Sequence, residues 1–269
     1  MQSHPDSSSD QSQIVLRRRI LSLKGLCIGL MAGLTAVGFR ISLEYAERLR
    51  NTFLAFSRSH EFYYWSLPAF FFGLSIAIVV FVTLKFAPDA GGSGIPHLKG
   101  YLEGLLAFRP WRILVVKFIG GVIGIGSGLA LGREGPTVQM GAAVAKIFGD
   151  HFAPNRVERK ILISAGAGAG LAAAFNAPLA GVFFVMEELH SSMNRLVLVT
   201  AFVACVTADI VCRLLMGHLP VFHIAISNYP EVSMFPFFYI DGGFTGFSGP
   251  FVQQISAWRI YLRTSPHFL

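Results

Sequence analysis

Two long apolar segments constrain this chain more than any other feature. Residues 21–39 and 67–86 are each long enough to cross the hydrocarbon core of a bilayer, which requires about 20 predominantly apolar residues. Over all 269 residues, 53% are hydrophobic and only 14% are charged. A water-soluble domain of this length carries more charge on its surface. The sequence therefore predicts a multi-pass membrane protein.

The amino-terminal region predicts the orientation of the chain. Residues 1–13 are polar and hold no apolar run, which is typical of a solvated tail rather than a cleaved signal sequence, and we predict a cytoplasmic tail over residues 1–20. Three arginines at 17–19 and Lys24 surround the start of the first apolar segment, which favours a cytoplasmic amino terminus. The net charge of +7 is spread over the ends of apolar segments, so it favours lipid headgroups and disfavours nucleic acid as a partner.

Beyond residue 86, several of the apolar segments are short and open with Gly or Pro. A loop at residues 88–96 precedes a run at 97–108 that is too short to cross a bilayer, and we predict that this run is re-entrant or partly inserted. Helices of this kind end inside the membrane, where their backbone ends line an ion or substrate site. Because a helix amino terminus presents unpaired N–H groups and the positive end of the macrodipole, several such ends would bind a small anion. Further short segments lie at residues 136–149, 157–175 and 178–190.

Two further segments predict complete helices. In residues 111–131, the glycines at 120, 124, 128 and 132 recur every four residues, and we expect them to form one bare face for close helix packing. Residues 195–216 predict another span, with Asp209 as a buried acid. After it, we predict a loop and then an apolar region at 235–262 that glycines interrupt.

Two motifs place polar groups at predicted helix starts. In residues 92–96 (GSGIP), Ser93 offers a hydroxyl beside backbone N–H groups that glycine leaves accessible to an anion; the alternative is an ordinary capped turn. In residues 132–136 (GREGP), the Glu134 carboxylate lies at a helix amino terminus, where it would occupy an anion's own site and leave it on protonation. The alternative is a glutamate that only caps its helix.

A third motif, residues 173–188, is an apolar half-helix that ends in Glu187 and Glu188. Adjacent side chains point about 100 degrees apart on a helix, so we expect one carboxylate to face the interior and take up protons while the other meets solvent. One alternative is that both are interfacial charges, and another is that Glu187 and His190 form half of a di-iron site, for which the second pair is missing. Lys117 is a lone cation inside an apolar segment, and we expect it to raise the potential of an anion path.

Taken in order, residues 92–96, 132–136 and 173–188 resemble the ClC family of chloride channels and chloride/proton antiporters. The resemblance implies an all-α multi-pass membrane protein with tilted and re-entrant half-helices, built from two repeats of inverted topology. It also implies a homodimer in which each subunit has its own pore. Residues 21–217 would form the first repeat, and residues 218–269 a loop and the incomplete start of the second.

The same resemblance implies roles for single residues. Ser93 would coordinate the central chloride, and Glu134 would gate the external pathway. Glu188 would transfer protons on the internal side, which favours exchange over a passive channel. Backbone N–H groups would line the anion path around Gly94, Ile95, Arg133 and Gly135.

The leading hypothesis is therefore a multi-pass protein of the inner cell membrane, similar to voltage-gated chloride channels, that exchanges chloride for protons. It moves ions and performs no bond chemistry, so we expect no metal and no cofactor beyond the chloride that it carries. The competing hypothesis is a truncated, transport-inactive ClC remnant, because a full ClC subunit is longer than 269 residues.

Overall fold

The computed structural model describes residues 7–58, 66–129, 131–190 and 194–217, with side chains from residue 18 onward. All regular structure in these residues is helical, as the all-α prediction requires. The predicted loop and second-repeat start at residues 218–269 lie outside the described residues. The helices of the described part are α1 (Ser7–Arg58), α2 (Ser66–Phe86), α3 (Ile95–Glu103), α4 (Pro110–Gly126), α5 (Glu134–Phe152), α6 (Arg156–Phe175), α7 (Pro178–Phe184) and α8 (Arg195–Met216).

Three of these helices are long and apolar enough to cross a membrane, at Arg18–Ser57, Ser66–Phe86 and Arg195–Met216. The spans predicted for α2 and α8 agree with the structure to within one residue. α1 is much longer than predicted, because it begins at Ser7 and continues for 52 residues. Residues 7–20 of the predicted tail are therefore the start of α1. No Gly or Pro stands between residues 7 and 24, so nothing in the sequence ends the helix there.

The prediction of one complete helix over residues 111–131 is wrong at its end. α4 stops at Gly126, and Gly128 adopts a left-handed conformation with φ of 91°. Glycine reaches this conformation without a Cβ penalty, so it ends helices readily. The glycines at 128 and 132 therefore lie beyond α4, and the predicted four-residue ridge does not extend past residue 124 within the helix.

α6 forms the centre of the described fold, with α1, α5, α7 and α8 packed around it. Its residues 161–170 are all buried. The contact with α5 is made through backbone, since a Cβ at Gly141 would overlap the carbonyl oxygen of Gly166. Close backbone contact of this kind is typical of helix pairs in membranes. α5 and α6 thus form a tight hairpin whose open end carries the start of α5.

The turn between α5 and α6 is fixed to the beginning of α1. Asn155 caps α6 by accepting a hydrogen bond of 2.8 Å from the backbone N–H of Glu158. Lys24 of α1 donates to the carbonyl oxygen of Phe152 at 2.8 Å and forms an ion pair with Glu158 at 2.5 Å. These contacts place the basic start of the first span beside the carboxyl end of α5.

Candidate functional site

A cavity of about 590 Å³ lies where the short helices begin. Its walls come from α2, α4, the start of α3 with the loop before it, and the start of α5. Ser93 and Glu134 both line it, although 40 residues of sequence separate them. Of the other residues predicted for the anion path, Ile95 and Gly135 also line the cavity, whereas Gly94 and Arg133 are the chain neighbours of lining residues.

The loop that carries Ser93 is in contact with the side chain of Gln139 on α5. Gly94 caps α3 in a left-handed conformation, with φ of 80°, and a Cβ at this position would overlap the amide group of Gln139. The Gln139 side chain is fully buried, and its Nε2 donates a hydrogen bond of 2.8 Å to the carbonyl oxygen of Asp89. Glycine at 94 is therefore required both for the turn and for the close approach.

The start of α5 rests directly on the backbone of Ser93. A Cβ at Gly135 would lie 2.6 Å from the carbonyl oxygen of Ser93 and 2.9 Å from its Cα. Real Cβ atoms do not approach backbone this closely, so only glycine allows the contact. The amino terminus of α5, with its unpaired N–H groups and positive dipole end, is thereby held beside Ser93.

Glu134 occupies the first turn of α5, and its side chain is exposed to the cavity. Its carboxylate accepts no hydrogen bond and forms no ion pair within the described part of the chain. Arg133 precedes it as the amino-terminal cap of α5 and is partly buried. The backbone at Glu134 is fixed, therefore, while its side chain is free to change direction.

Lys117 supplies the cavity with a positive charge. This residue of α4 is buried, with 7% of its surface exposed, and it lines the cavity. Its ammonium group donates a hydrogen bond of 2.5 Å to the carbonyl oxygen of Gly92, and no carboxylate of the described residues pairs with it. A buried cation without a counter-ion is the arrangement expected to raise the local electrostatic potential, so the influence of Lys117 on an anion path stays a prediction.

Glu188 lies in a different part of the fold from this cavity. α7 continues into a π-helical turn, Val185–Leu189, that contains both glutamates of the third motif. Glu188 is partly exposed and pairs with Lys99 of α3, with 3.4 Å between Nζ and Oε1. Glu187 is exposed to solvent. The two adjacent carboxylates therefore have different environments, with Glu188 turned toward α3.

Sequence reasoning missed three of these contacts. Gln139 reads as an ordinary polar residue in a helix, and nothing in the sequence indicates that it lies under Gly94. The pair of Lys99 with Glu188 joins residues that are 89 positions apart. The sequence draws attention to His190 only through its spacing to Glu187, whereas its Nε2 lies 2.9 Å from the hydroxyl of Ser164 on α6. By contrast, the sequence predicts both charged residues of the cavity wall, Lys117 and Glu134.

The fold and the cavity together define a class, that of multi-pass helical membrane proteins in which the ends of short helices line an internal cavity. The sequence profile described as voltage gated chloride channel matches residues 75–266. The chain belongs to this family.

Similar proteins with curated descriptions include bacterial exchangers. The chain is 39% identical over 212 residues to the H(+)/Cl(-) exchange transporter ClcA of Salmonella arizonae, covering 77% of this chain and 45% of that one. It is 37% identical over 236 residues to the ClcA transporter of Salmonella paratyphi B, covering 87% of this chain and 50% of that one. The chain thus spans about half the length of the curated relatives that it matches.

Solved structures support the same fold. A slow cyanobacterial Cl-/H+ antiporter superposes with a TM-score of 0.79 at 31% identity, covering 91% of this chain and 59% of that one. A CLC-type fluoride/proton antiporter superposes with a TM-score of 0.69 at 24% identity, covering 93% and 60% of the two chains. At 24% identity, the similarity to the fluoride/proton antiporter concerns the fold alone.

Proposed function

We propose that this protein moves chloride across the membrane in exchange for protons. One observation carries the proposal most directly: Ser93 and Glu134 line one cavity together with the buried cation Lys117. The similarity to named H(+)/Cl(-) exchange transporters supports it. The substrates are chloride and protons, and the protein acts as a transporter rather than as an enzyme.

In this proposal, the chloride is held by groups that replace its water shell. The Ser93 hydroxyl donates to the anion, and backbone N–H groups at the starts of α3 and α5 add partial positive charge. Lys117 compensates part of the cost of removing the anion from water. The contributing N–H groups are those of Gly94, Ile95, Arg133 and Gly135.

Glu134 competes with chloride for the same positive region. The ionised carboxylate is attracted to the helix start and to Lys117, so it blocks the path when no anion is present. Protonation removes this attraction, and the side chain, which accepts no hydrogen bond from the described residues, turns away. One residue thereby gates the anion path and carries a proton.

Glu188 takes up protons on the opposite, internal side of the path. Its partial exposure gives it access to water, and its turn toward α3 directs it to the helix whose other end bears the chloride loop. We also propose that the protein is a homodimer in the cell membrane with a cytoplasmic amino terminus. The division into a first repeat at residues 21–217 and the start of a second at 218–269 belongs to the same proposal.

The test is chloride efflux from liposomes with simultaneous recording of pH, on the unmodified chain and on Glu134→Ala. We expect coupled chloride and proton movement in the unmodified chain, and chloride movement without protons in the variant. Proton movement that survives in Glu134→Ala would contradict the assignment of the gate. Absence of both fluxes from the unmodified chain would contradict the proposed function and favour the transport-inactive alternative.

A further inference from the structure

The cavity that Ser93 and Glu134 line is called the anion cavity here. A second pocket of about 420 Å³ lies apart from it, and we call it the basic pocket. It is formed between the end of α3, with the turn that follows, and the first turns of α6. None of its residues lines the anion cavity. The side chains that line the basic pocket include those of Tyr101, Leu106, Arg156, Val157, Arg159 and Lys160.

The charge of the basic pocket is largely uncompensated. Arg159 pairs with Asp150 of α5, with 3.2 Å between Nε and Oδ1, but Asp150 also pairs with Lys146 at 2.7 Å. Neither Arg156 nor Lys160 forms an ion pair with any residue that the structure describes. Three cations therefore line this pocket, and Asp150, the carboxylate that pairs with one of them, is shared with Lys146.

The rim of the basic pocket is apolar and exposed. Val157 and Leu106 line the pocket with 61% and 48% of their surfaces exposed, and the neighbouring Leu105 and Trp111 are also exposed. Basic side chains next to exposed apolar ones are typical of the level at which a protein meets lipid headgroups. A site in this setting presents cations to a phosphate and apolar surface to the chain attached to it.

The basic pocket also lies close to the basic start of α1. Lys24 joins the start of α1 to the turn before α6 through Phe152 and Glu158. Arg18 and Arg19 are located one to two turns earlier in α1. By the positive-inside tendency, this end faces the leaflet that contains anionic lipids.

We propose that the basic pocket binds the phosphate group of an anionic phospholipid, with Arg156, Arg159 and Lys160 as its cations. Guanidinium groups bind phosphate oxygens in pairs of hydrogen bonds, and the Tyr101 hydroxyl, located at the pocket wall, is suited to donate another. The pocket volume falls within the range of ligand sites. Val157 and Leu106 contact the glycerol and the first methylene groups of the lipid.

Free phosphate shares the charge of this ligand but lacks the part that meets the apolar rim. The lipid is therefore the occupant that uses all of the pocket, and inorganic phosphate serves as the discriminating probe. The proposal does not depend on ion transport, so its failure and that of the proposed function are distinguishable.

The experiment measures lipid retention by the purified full chain in detergent, using native mass spectrometry with phosphatidylglycerol and phosphatidylcholine. We expect the unmodified chain to prefer phosphatidylglycerol. The double variant Arg156→Gln, Lys160→Gln should bind it about tenfold more weakly, because each basic residue near the surface contributes to this attraction. Binding of phosphatidylcholine should not change.

The matched control is the double variant Arg109→Gln, Arg112→Gln. It removes the same charge from exposed positions at the start of α4, outside the pocket, and we expect it to bind phosphatidylglycerol like the unmodified chain. Equal losses in the two double variants would overturn the proposal, since they would indicate diffuse attraction.

Competition on the unmodified chain gives a second readout that requires no variant. Inorganic phosphate in excess should displace little phosphatidylglycerol. Complete displacement, or equal retention of the two lipids, would overturn the proposal.

Discussion

Glu134 and Glu188 differ in which part of the residue is held in place. At Glu134, the backbone is fixed, because Gly135 rests on Ser93, and the carboxylate has no partner in the described part of the chain. At Glu188, the backbone forms a π-helical turn, and the carboxylate is held by Lys99 at 3.4 Å. The first arrangement suits a side chain that swings between two positions. The second suits a carboxylate that keeps its direction while its proton exchanges with water.

This difference shows that two glutamates at irregular points of a helix can be held in quite different ways. Both residues lie at irregular points of the helical structure, one at a helix start and one in a π-helical turn, and such turns are frequent at functional sites. The cations also differ: Lys117 is buried in the wall of the cavity that Glu134 lines, whereas Lys99, which pairs with Glu188, is partly exposed. The predictions below test this contrast, beginning with the largest expected effect.

Replacing Glu188 by Gln should reduce proton movement to the level of protein-free liposomes while chloride still flows. The amide carries no exchangeable charge, so no group at this turn accepts the proton. The measurement is the paired chloride and pH recording in liposomes. Glu187→Gln is the matched control, because Glu187 is the exposed neighbour in the same turn, and we expect it to leave proton movement unchanged. Equal losses in the two variants would remove the distinction between the two glutamates.

Replacing Gly135 by Ala should disrupt the site around Glu134 more than any change of charge there. The new Cβ would meet the backbone of Ser93 at 2.6 Å, so α5 and the loop have to separate. Overpacking of this kind costs about 1–3 kcal/mol of the free energy of unfolding. Thermal unfolding and chloride titration by calorimetry measure the two consequences.

Gly132→Ala is the control for this variant, since nothing lies within 4 Å of a Cβ at that position. It should bind chloride like the unmodified chain. Normal chloride binding by Gly135→Ala would show that the contact between α5 and the Ser93 loop is not needed for the site.

Replacing Lys117 by Met should weaken chloride binding about tenfold, which corresponds to about 1.4 kcal/mol. The methionine keeps most of the volume but removes the buried charge from the cavity wall. Calorimetric titration with chloride measures the loss. Lys85→Met removes an exposed cation at the end of α2 and should have little effect. If the two variants lost affinity equally, net charge rather than the position of Lys117 would explain the attraction.

Replacing Lys99 by Gln should have the smallest effect. The pair with Glu188 is more than 40% exposed on both sides, and exposed pairs contribute about 0.2–1 kcal/mol. We therefore expect proton movement to change by no more than about fivefold, with chloride movement unaffected. Lys99→Arg should behave like the unmodified chain. A complete loss of proton movement in Lys99→Gln would mean that the lysine itself belongs to the proton path.

Much of the helical framework was predictable because long apolar runs have few alternatives in a membrane. α2 and α8 begin and end within one residue of the predicted bounds. The end of α4 was not predictable from spacing, since glycine serves both in close helix packing and in left-handed turns. Only the surrounding structure decides between the two uses, and at Gly128 it selects the turn.

Residues of the candidate site were predictable where a short motif places a polar side chain at a helix start. Ser93 and Glu134 follow glycines at helix starts, and the structure places both in one cavity. Their roles in transport remain predictions. Gln139 and Lys99 were out of reach, because their partners at Asp89 and Glu188 are 50 and 89 residues away in sequence. Such pairs depend on how helices meet, which local patterns do not encode.

The backbone contact between Gly141 and Gly166 limits which movements are available to the gate proposed at Glu134. Thr137 and Gly170 meet in the same way one turn nearer to Glu134, so α5 and α6 touch without an intervening layer of side chains. At these contacts, no flexible side chains lie between α5 and α6, so one helix cannot tilt without moving the other. A displacement of the start of α5 would therefore also move α6. The smallest available movement is rotation of the Glu134 side chain about its own bonds.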